Sequence, residues 1–179
     1  MKRIIVITLL YFLYGLTTLL YSQSEPDTSR IIDLDDPSQY LPTYLQNIYI
    51  GMSFADFSNV KDTLLLAVSR NVPDIWYGVR EEVTDDIVSE VYYKFDKVEN
   101  GINLDRPLYE IDIIFSDRLS EKEFLRDKFG VPQKMLSPSA YEWKFNTDRN
   151  YKLFIKQDHR EVQIFGAMPG TEYEAKNDF

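Results

Sequence analysis

Alternation between apolar and polar residues is the strongest structural signal in this chain. It runs through six segments in two groups of three: 75–80, 87–95 and 108–116, then 141–146, 151–157 and 161–166. Successive side chains of a β-strand point to opposite faces, so this period of two predicts strands with one buried face. The sequence therefore predicts a protein built around two groups of three β-strands.

The links between these segments indicate antiparallel pairing. Asn100-Gly101 lies between the second and third segments and suits the positive backbone angles of a hairpin turn. Residues 147–150 and 158–160 are short polar links within the second group. We expect the strands at 87–95 and 108–116 to be antiparallel neighbours, and the second group to form an antiparallel meander.

A helix-start pattern precedes the first group of strands. Ser53 and Asp56 have the spacing of a capping box, which predicts a helix that begins at Phe54. Helical spacing of apolar residues continues to Val68, whereas Asp62-Thr63 favours an earlier end. The end of this helix is therefore open.

A similar pattern precedes the second group. Ser120, Glu123 and Phe124 repeat the serine, the acid and the phenylalanine of the first pattern at an offset of 67 residues. This second helix is expected to run to Phe129 and to end at Gly130.

The chain thus contains a pattern of one helix and three strands that occurs twice. This pattern predicts an α+β fold of two tandem units, 47–117 and 118–167, with the helices packed on one face of an antiparallel sheet. Residues 168–179 form a C-terminal tail in this interpretation. Chance, or the generic chemistry of helix caps, is the alternative explanation for the match.

Three stretches resemble a known group of exported bacterial proteins: Tyr49-Ile50-Gly51-Met52-Ser53-Phe54-Ala55-Asp56-Phe57, Lys128-Phe129-Gly130-Val131-Pro132 and Tyr141-Glu142-Trp143-Lys144-Phe145. They are similar to proteins of the β-lactamase-inhibitor-protein-like fold, which includes small outer-membrane assembly lipoproteins of the SmpA/OmlA type. The resemblance covers roughly residues 48–166 and implies that fold and a non-enzymatic binding role. The chain lacks the cysteines of both named groups.

The N-terminus has the layout of a secretory signal peptide. Lys2 and Arg3 precede an apolar run over 4–20, and small residues follow at Ser22 and Ser24. This pattern predicts export and cleavage after Ser24, and an uncleaved membrane anchor is the alternative. Residues 25–46 are acidic and interrupted by prolines, which favours an extended lead-in.

Charge and cysteine content exclude several functions. Removal of residues 1–24 leaves 18 basic against 29 acidic residues, a net charge of −11. Such a surface disfavours nucleic-acid and anionic-lipid partners. The absence of cysteine excludes disulfides, thiol catalysis and thiolate metal sites. We expect a monomer without membrane insertion after cleavage.

No catalytic or cofactor motif is present. His159 is the single histidine and lies in a polar link, and the seven glycines form no phosphate-binding loop. Asp33, Asp35 and Asp36 lack the glycine and the glutamate of a calcium loop, so no metal is predicted. Glu110 and Asp112 share one strand face and are the candidate pair for acid and base chemistry. We expect a protein without enzymatic activity and without a cofactor. The alternative is a cell-envelope hydrolase that uses carboxylates.

Aromatic residues of one strand parity form the candidate binding face. Tyr141, Trp143 and Phe145 share the parity of the aliphatic residues and are expected in the core. The opposite parity carries Phe154 and Phe165 among charged residues, with Tyr92 and Trp76 as counterparts in the first group. These four are the candidate protein-binding residues, because large aromatics with a polar rim are typical of recognition surfaces. Packing beneath another segment, such as the C-terminal tail, is the alternative.

Overall fold

The structure is a computed structural model, which describes residues 29–61, 67–72, 76–96 and 106–178, and the side chains of 29–61, 78–96 and 106–177 among them. The expected signal segment and the Asn100-Gly101 turn lie outside these residues.

One large sheet dominates the described residues. Its nine strands are β1 (Ile31–Ile32), β2 (Ala67–Val72), β3 (Trp76–Glu82), β4 (Val88–Asp96), β5 (Leu108–Phe115), β6 (Lys134–Ser137), β7 (Ala140–Thr147), β8 (Lys152–Asp158) and β9 (Glu161–Gly166). Their order is β1-β7-β8-β9-β5-β4-β3-β2, and β6 also pairs with β7. Every pairing is antiparallel except that of β1 with β7. The expected α+β class with an antiparallel sheet is confirmed.

Each helix is followed by four strands rather than the expected three. Strands β2 to β5 form one antiparallel run and β6 to β9 another, and the runs meet where β5 pairs with β9. Sequence alternation missed β2 and β6. All four residues of β6 are exposed, so its side chains show no buried and exposed alternation. That these two runs are repeated units stays a prediction.

The first helix, α1 (Phe54–Val60), begins as predicted. The Ser53 side chain caps it by accepting a hydrogen bond from the amide of Asp56 at 3.0 Å. It ends at Val60, which answers the open question in favour of the earlier end.

The second helix, α2 (Arg118–Phe129), begins earlier than predicted. Its cap is Asp117, which accepts hydrogen bonds from the amides of Leu119 and Ser120. Ser120 is therefore inside the first turn and is not the counterpart of Ser53. Gly130 ends α2 with φ +66°, as the glycine pattern predicted.

Both helices pack on one side of the sheet, which we call the helix face. A row across five strands defines it: Tyr93, Ile111, Ile164, Ile155 and Trp143 are successive cross-strand neighbours. Phe57 of α1 contacts the Tyr93 ring at 4.8 Å, and Phe129 of α2 contacts the Trp143 ring at 6.2 Å. The core expected from the alternating apolar positions lies here.

The N-terminal segment 29–46 differs from the extended lead-in that its composition suggested. Ile32, Leu34 and Tyr40 of this segment are fully buried in the same core. The hydroxyl of Tyr40 donates to the carbonyl of Leu34 and accepts from the amide of Ile50. The sequence does not reveal that these apolar residues are buried, because they lie among acidic residues and follow no regular period.

Within the described part of the chain, no helix has the length and apolar character needed to cross a membrane.

Candidate functional site

The side of the sheet opposite the helices, here called the outer face, carries the predicted binding residues. Two cross-strand rows define it: Lys94, Glu110, Phe165, Phe154 and Lys144, then Tyr92, Asp112, Gln163, Lys156 and Glu142. Strand parity therefore places Tyr92, Phe154 and Phe165 on the predicted side. Trp76 pairs through its backbone with Asp96, and its side chain lies outside those that the structure describes.

The exposure predicted for the two phenylalanines is wrong. Phe165 is fully buried and Phe154 is 5% exposed, and their rings stack at 5.4 Å. Residues 168–178, here called the C-terminal segment, fold back over them. Both rings instead pack beneath the C-terminal segment, which was the alternative interpretation of the sequence.

Aromatic and cationic contacts hold the C-terminal segment on the outer face. The ring of Tyr173 lies 4.2 Å from that of Phe165. The ammonium of Lys176 lies over the rings of Phe165 and Tyr173, at 4.4 and 4.5 Å. A ring pair of this kind contributes about 0.5–1.5 kcal/mol. The burial that lowers the pKa of Lys176 opposes the attraction of its ammonium to the rings.

Polar contacts fix the register of the same segment. The side chain of Asn177 accepts a hydrogen bond from the amide of Lys152 at 2.9 Å and donates to the carbonyl of Ala167. The Lys152 ammonium donates to the carbonyl of Asn177 at 2.6 Å. Because Asn177 binds backbone groups at the end of β9 and the start of β8, the segment continues the sheet's own hydrogen bonding.

A cluster of charges lies beneath this segment. The ammonium of Lys94 lies 2.7 Å from a carboxylate oxygen of Glu110 and 3.1 Å from one of Asp112. The hydroxyl of Tyr173 donates to the other oxygen of Glu110 at 2.7 Å. Glu110 is fully buried and Asp112 is 7% exposed.

The charges of this cluster are unequal. Burial raises the pKa of Asp112 well above its ordinary value, and the neighbouring Glu110 carboxylate raises it further, against the opposing effect of Lys94. Burial alone would lower the pKa of Lys94, but Asp112 and Glu110 together raise it. Asp112 therefore retains its proton to a higher pH than a free aspartic acid does.

This geometry gives the carboxylate pair a structural role. Sequence reasoning correctly placed Glu110 and Asp112 together, but a substrate has almost no access to them while Tyr173 covers Glu110. Lys94 and Tyr173 engage both oxygens of Glu110, and Lys94 engages one oxygen of Asp112. Sequence reasoning missed Tyr173, Lys176 and Asn177, because a segment without strand or helix periodicity gives no signal of what it contacts.

The open part of the outer face lies around Tyr92. Its hydroxyl donates to a carboxylate oxygen of Glu90 at 2.9 Å, and Arg80 donates two hydrogen bonds to the same carboxylate. Tyr92 is partly exposed. This part of the face combines an aromatic ring with a paired charge in reach of solvent.

Two other groups of side chains have some features of a functional site. Asp33, Asp35 and Asp148 lie close enough to hold a metal ion, but all three are exposed, and they bind backbone amides or Arg149. These contacts attach the N-terminal segment to the turn between β7 and β8. His159 is exposed and pairs with Asp158 at 3.2 Å, consistent with a turn residue.

Comparisons with family models, curated proteins and solved structures find no match to this chain. The resemblance to the β-lactamase-inhibitor-protein-like fold therefore stays a prediction.

Proposed function

We propose that this protein is an exported binding module without chemistry of its own, which recognises a segment of another protein through the outer face of its sheet. The observation that supports the proposal is the C-terminal segment itself. The outer face already binds a segment of its own chain: Tyr173 and Lys176 pack on the stacked rings of Phe154 and Phe165, which form a small buried cluster beside the main core.

The contacts have the anatomy of a protein interface. Stacked rings of Phe154 and Phe165 form the apolar centre, and a tyrosine and a lysine pack onto them. Interfaces use aromatic anchors at a desolvated centre, with charged groups around it. A partner segment with an aromatic hydroxyl and a nearby cation offers the same chemistry as Tyr173 and Lys176.

The partner segment replaces the C-terminal segment on this face. Tyr92 and its pair with Glu90 lie in the neighbouring row and provide contacts that stay open when the C-terminal segment is bound. First contact is made at Tyr92, and Phe154 and Phe165 become available as the C-terminal segment leaves.

The test loosens the C-terminal segment in the full chain. Tyr173→Ser with Asn177→Ser removes the ring contact with Phe165 and the hydrogen bonds to the Lys152 amide and the Ala167 carbonyl. We expect this variant to capture its partner from envelope extract at least about fivefold more strongly, equivalent to about 1 kcal/mol of removed competition. Ala175→Ser, at an exposed position of the same segment, is the matched control.

A synthetic peptide of residues 168–179 provides the second arm. It should compete with the captured partner, whereas the same peptide with Tyr173→Ser should not. Unchanged capture by the loosened variant, together with failure of the peptide to compete, would exclude the outer face as the binding surface.

The exported location has its own test. Since Ser22 and Ser24 fit the cleavage requirement, N-terminal sequencing of the exported protein should begin at Glu25. A product that retains residues 1–20 and needs detergent for extraction would instead identify an anchor.

A further inference from the structure

A cavity lies on the helix face of the sheet, opposite the proposed binding face. It has a volume of about 430 Å³ and lies between α2 and the ends of β7 and β8, next to the turn that joins β6 to β7. This size is within the range of small-molecule sites. None of the residues in the proposed binding face lines it.

Two buried polar side chains with unpaired acceptors line this cavity. Glu121 is 1% exposed and Gln157 is 5% exposed, and both line it. Three buried oxygens of these two side chains accept no hydrogen bond within the described part of the chain. They are both carboxylate oxygens of Glu121 and the amide oxygen of Gln157. A buried acceptor without a donor costs about 1–3 kcal/mol, and more if it is charged.

Strand β8 holds the side chain of Gln157 in position. The side-chain nitrogen of Gln157 donates to the carbonyl of His159 at 2.9 Å, which holds the amide in place. Burial raises the pKa of Glu121. A polar interaction with Gln157 and the positive charges of Arg118 and Lys122 lower it by smaller amounts. A donor that carries a positive charge would stabilise the ionised carboxylate and satisfy these acceptors.

The remaining lining divides into apolar and basic parts. Leu125, Tyr141 and Trp143 provide apolar surface, and the Trp143 ring nitrogen is already engaged by the carbonyl of Gly130 at 3.2 Å. The exposed residues Arg118, Lys122 and Arg126 form a basic rim. The cavity thus has acceptors at depth, apolar walls and cations at the surface.

We propose that this cavity binds a free α-amino acid with an apolar or aromatic side chain. The three N–H donors of its ammonium match the three unsatisfied oxygens of Glu121 and Gln157. Its carboxylate faces the basic rim, and its side chain packs on Leu125, Tyr141 and Trp143. Binding requires the Glu121 side chain to turn towards the cavity, because its oxygens have almost no accessible surface in this structure.

Calorimetric titration of the full-length chain with each of the common L-amino acids tests the proposal. We expect binding of apolar and aromatic members, with L-phenylalanine as the reference probe. N-acetyl-L-phenylalanine lacks the ammonium and phenethylamine lacks the carboxylate, so each should bind at least about tenfold more weakly. Absence of binding by every amino acid, or equal binding of the N-acetyl compound, would overturn the proposal.

Two variants of α2 locate the site. Glu121→Gln keeps the size of the side chain and should abolish binding without lowering the unfolding temperature. Glu123→Gln makes the same charge change at an exposed position of the same helix and should bind as the unaltered chain does. Undiminished binding by a folded Glu121→Gln protein would show that the ligand does not use this cavity.

Discussion

Asp112 illustrates how burial sets the charge state of a single residue. Its pKa is raised in the folded protein. Between the unfolded-state pKa and the folded-state pKa, the folded protein therefore retains a proton that the unfolded chain has lost. Stability from this residue is therefore complete below about pH 4 and declines as the pH rises towards the folded-state pKa.

Asp112→Asn should remove this pH dependence. The amide cannot ionise, and its oxygen can still accept from Lys94, so the variant should lose less stability than the unaltered chain between pH 4 and pH 8. Urea denaturation at pH 4, 6 and 8 measures the difference between the two slopes. Parallel pH profiles would show that Asp112 titrates normally in the folded protein.

Phe154 and Trp143 are expected to contribute similarly to stability. They lie on opposite faces of the sheet, yet they are 5% and 3% exposed, because one is covered by the C-terminal segment and the other by α2. Phe154→Ala and Trp143→Ala should each cost about 3–5 kcal/mol in denaturant titrations. Leu136→Ala, at an exposed position of the edge strand β6, should cost about 0.5 kcal/mol or less.

A loss of about 1 kcal/mol or less for Phe154→Ala would mean that the C-terminal segment leaves this ring open in solution. The proposed competition between the segment and a partner would then have no basis, whereas the amino-acid cavity on the helix face would be unaffected.

Among the elements, α2 provides a direct test of which residue begins a helix. Asp117 accepts two backbone amides at 2.7 and 2.9 Å, whereas the hydroxyl of Ser120 donates to the Asp117 carboxylate at 2.8 Å. Asp117→Ala should therefore cost about 1 kcal/mol, within the usual range for loss of a cap, and Ser120→Ala should cost less. Equal losses would indicate that the two residues act as one unit, which a double variant would reveal as non-additivity.

Elements with periodic residue types were predictable from the sequence, and elements defined by their neighbours were not. Strands β4, β5 and β7 to β9 alternate apolar with polar residues, so their positions and antiparallel pairing follow from the sequence. Burial is less regular, since β5 is buried on both faces. The cap of α2 was misplaced because aspartate and serine both favour that position, and Asp117 lies three residues before Ser120.

The candidate site was predictable only in part, for the same reason. Parity places Phe154 and Phe165 on the outer face, but their exposure depends on Tyr173 and Lys176, which no local pattern connects to them. The acceptors of Glu121 and Gln157 are 36 residues apart, and only the packing of α2 on β8 brings them to one cavity. Sequence parity assigns a face, whereas coverage depends on the tertiary fold.

At the scale of the whole molecule, the C-terminal segment joins the fold to the proposed function, because its attachment decides whether the outer face is open. Lys176 makes this attachment sensitive to pH. Burial and the nearby ammonium of Lys156 lower the pKa of Lys176 to about 8, from 10.5 in a free side chain. Burial and the nearby Glu110 carboxylate raise the pKa of the adjacent Tyr173 hydroxyl above its ordinary value.

Attachment of the C-terminal segment should therefore strengthen as the pH rises from 8 towards 10.5. In that interval the detached segment holds a proton that the attached segment has lost, so removing protons from solution favours attachment. The protection of the Lys152 amide, which donates to Asn177, reports this equilibrium by hydrogen exchange corrected for intrinsic rates at each pH. One linked proton limits the gain to about tenfold per pH unit. Lys156→Gln removes the repelling charge and should flatten the profile, and protection that instead falls with pH would show that the cation over the Phe165 ring outweighs the cost of burying it.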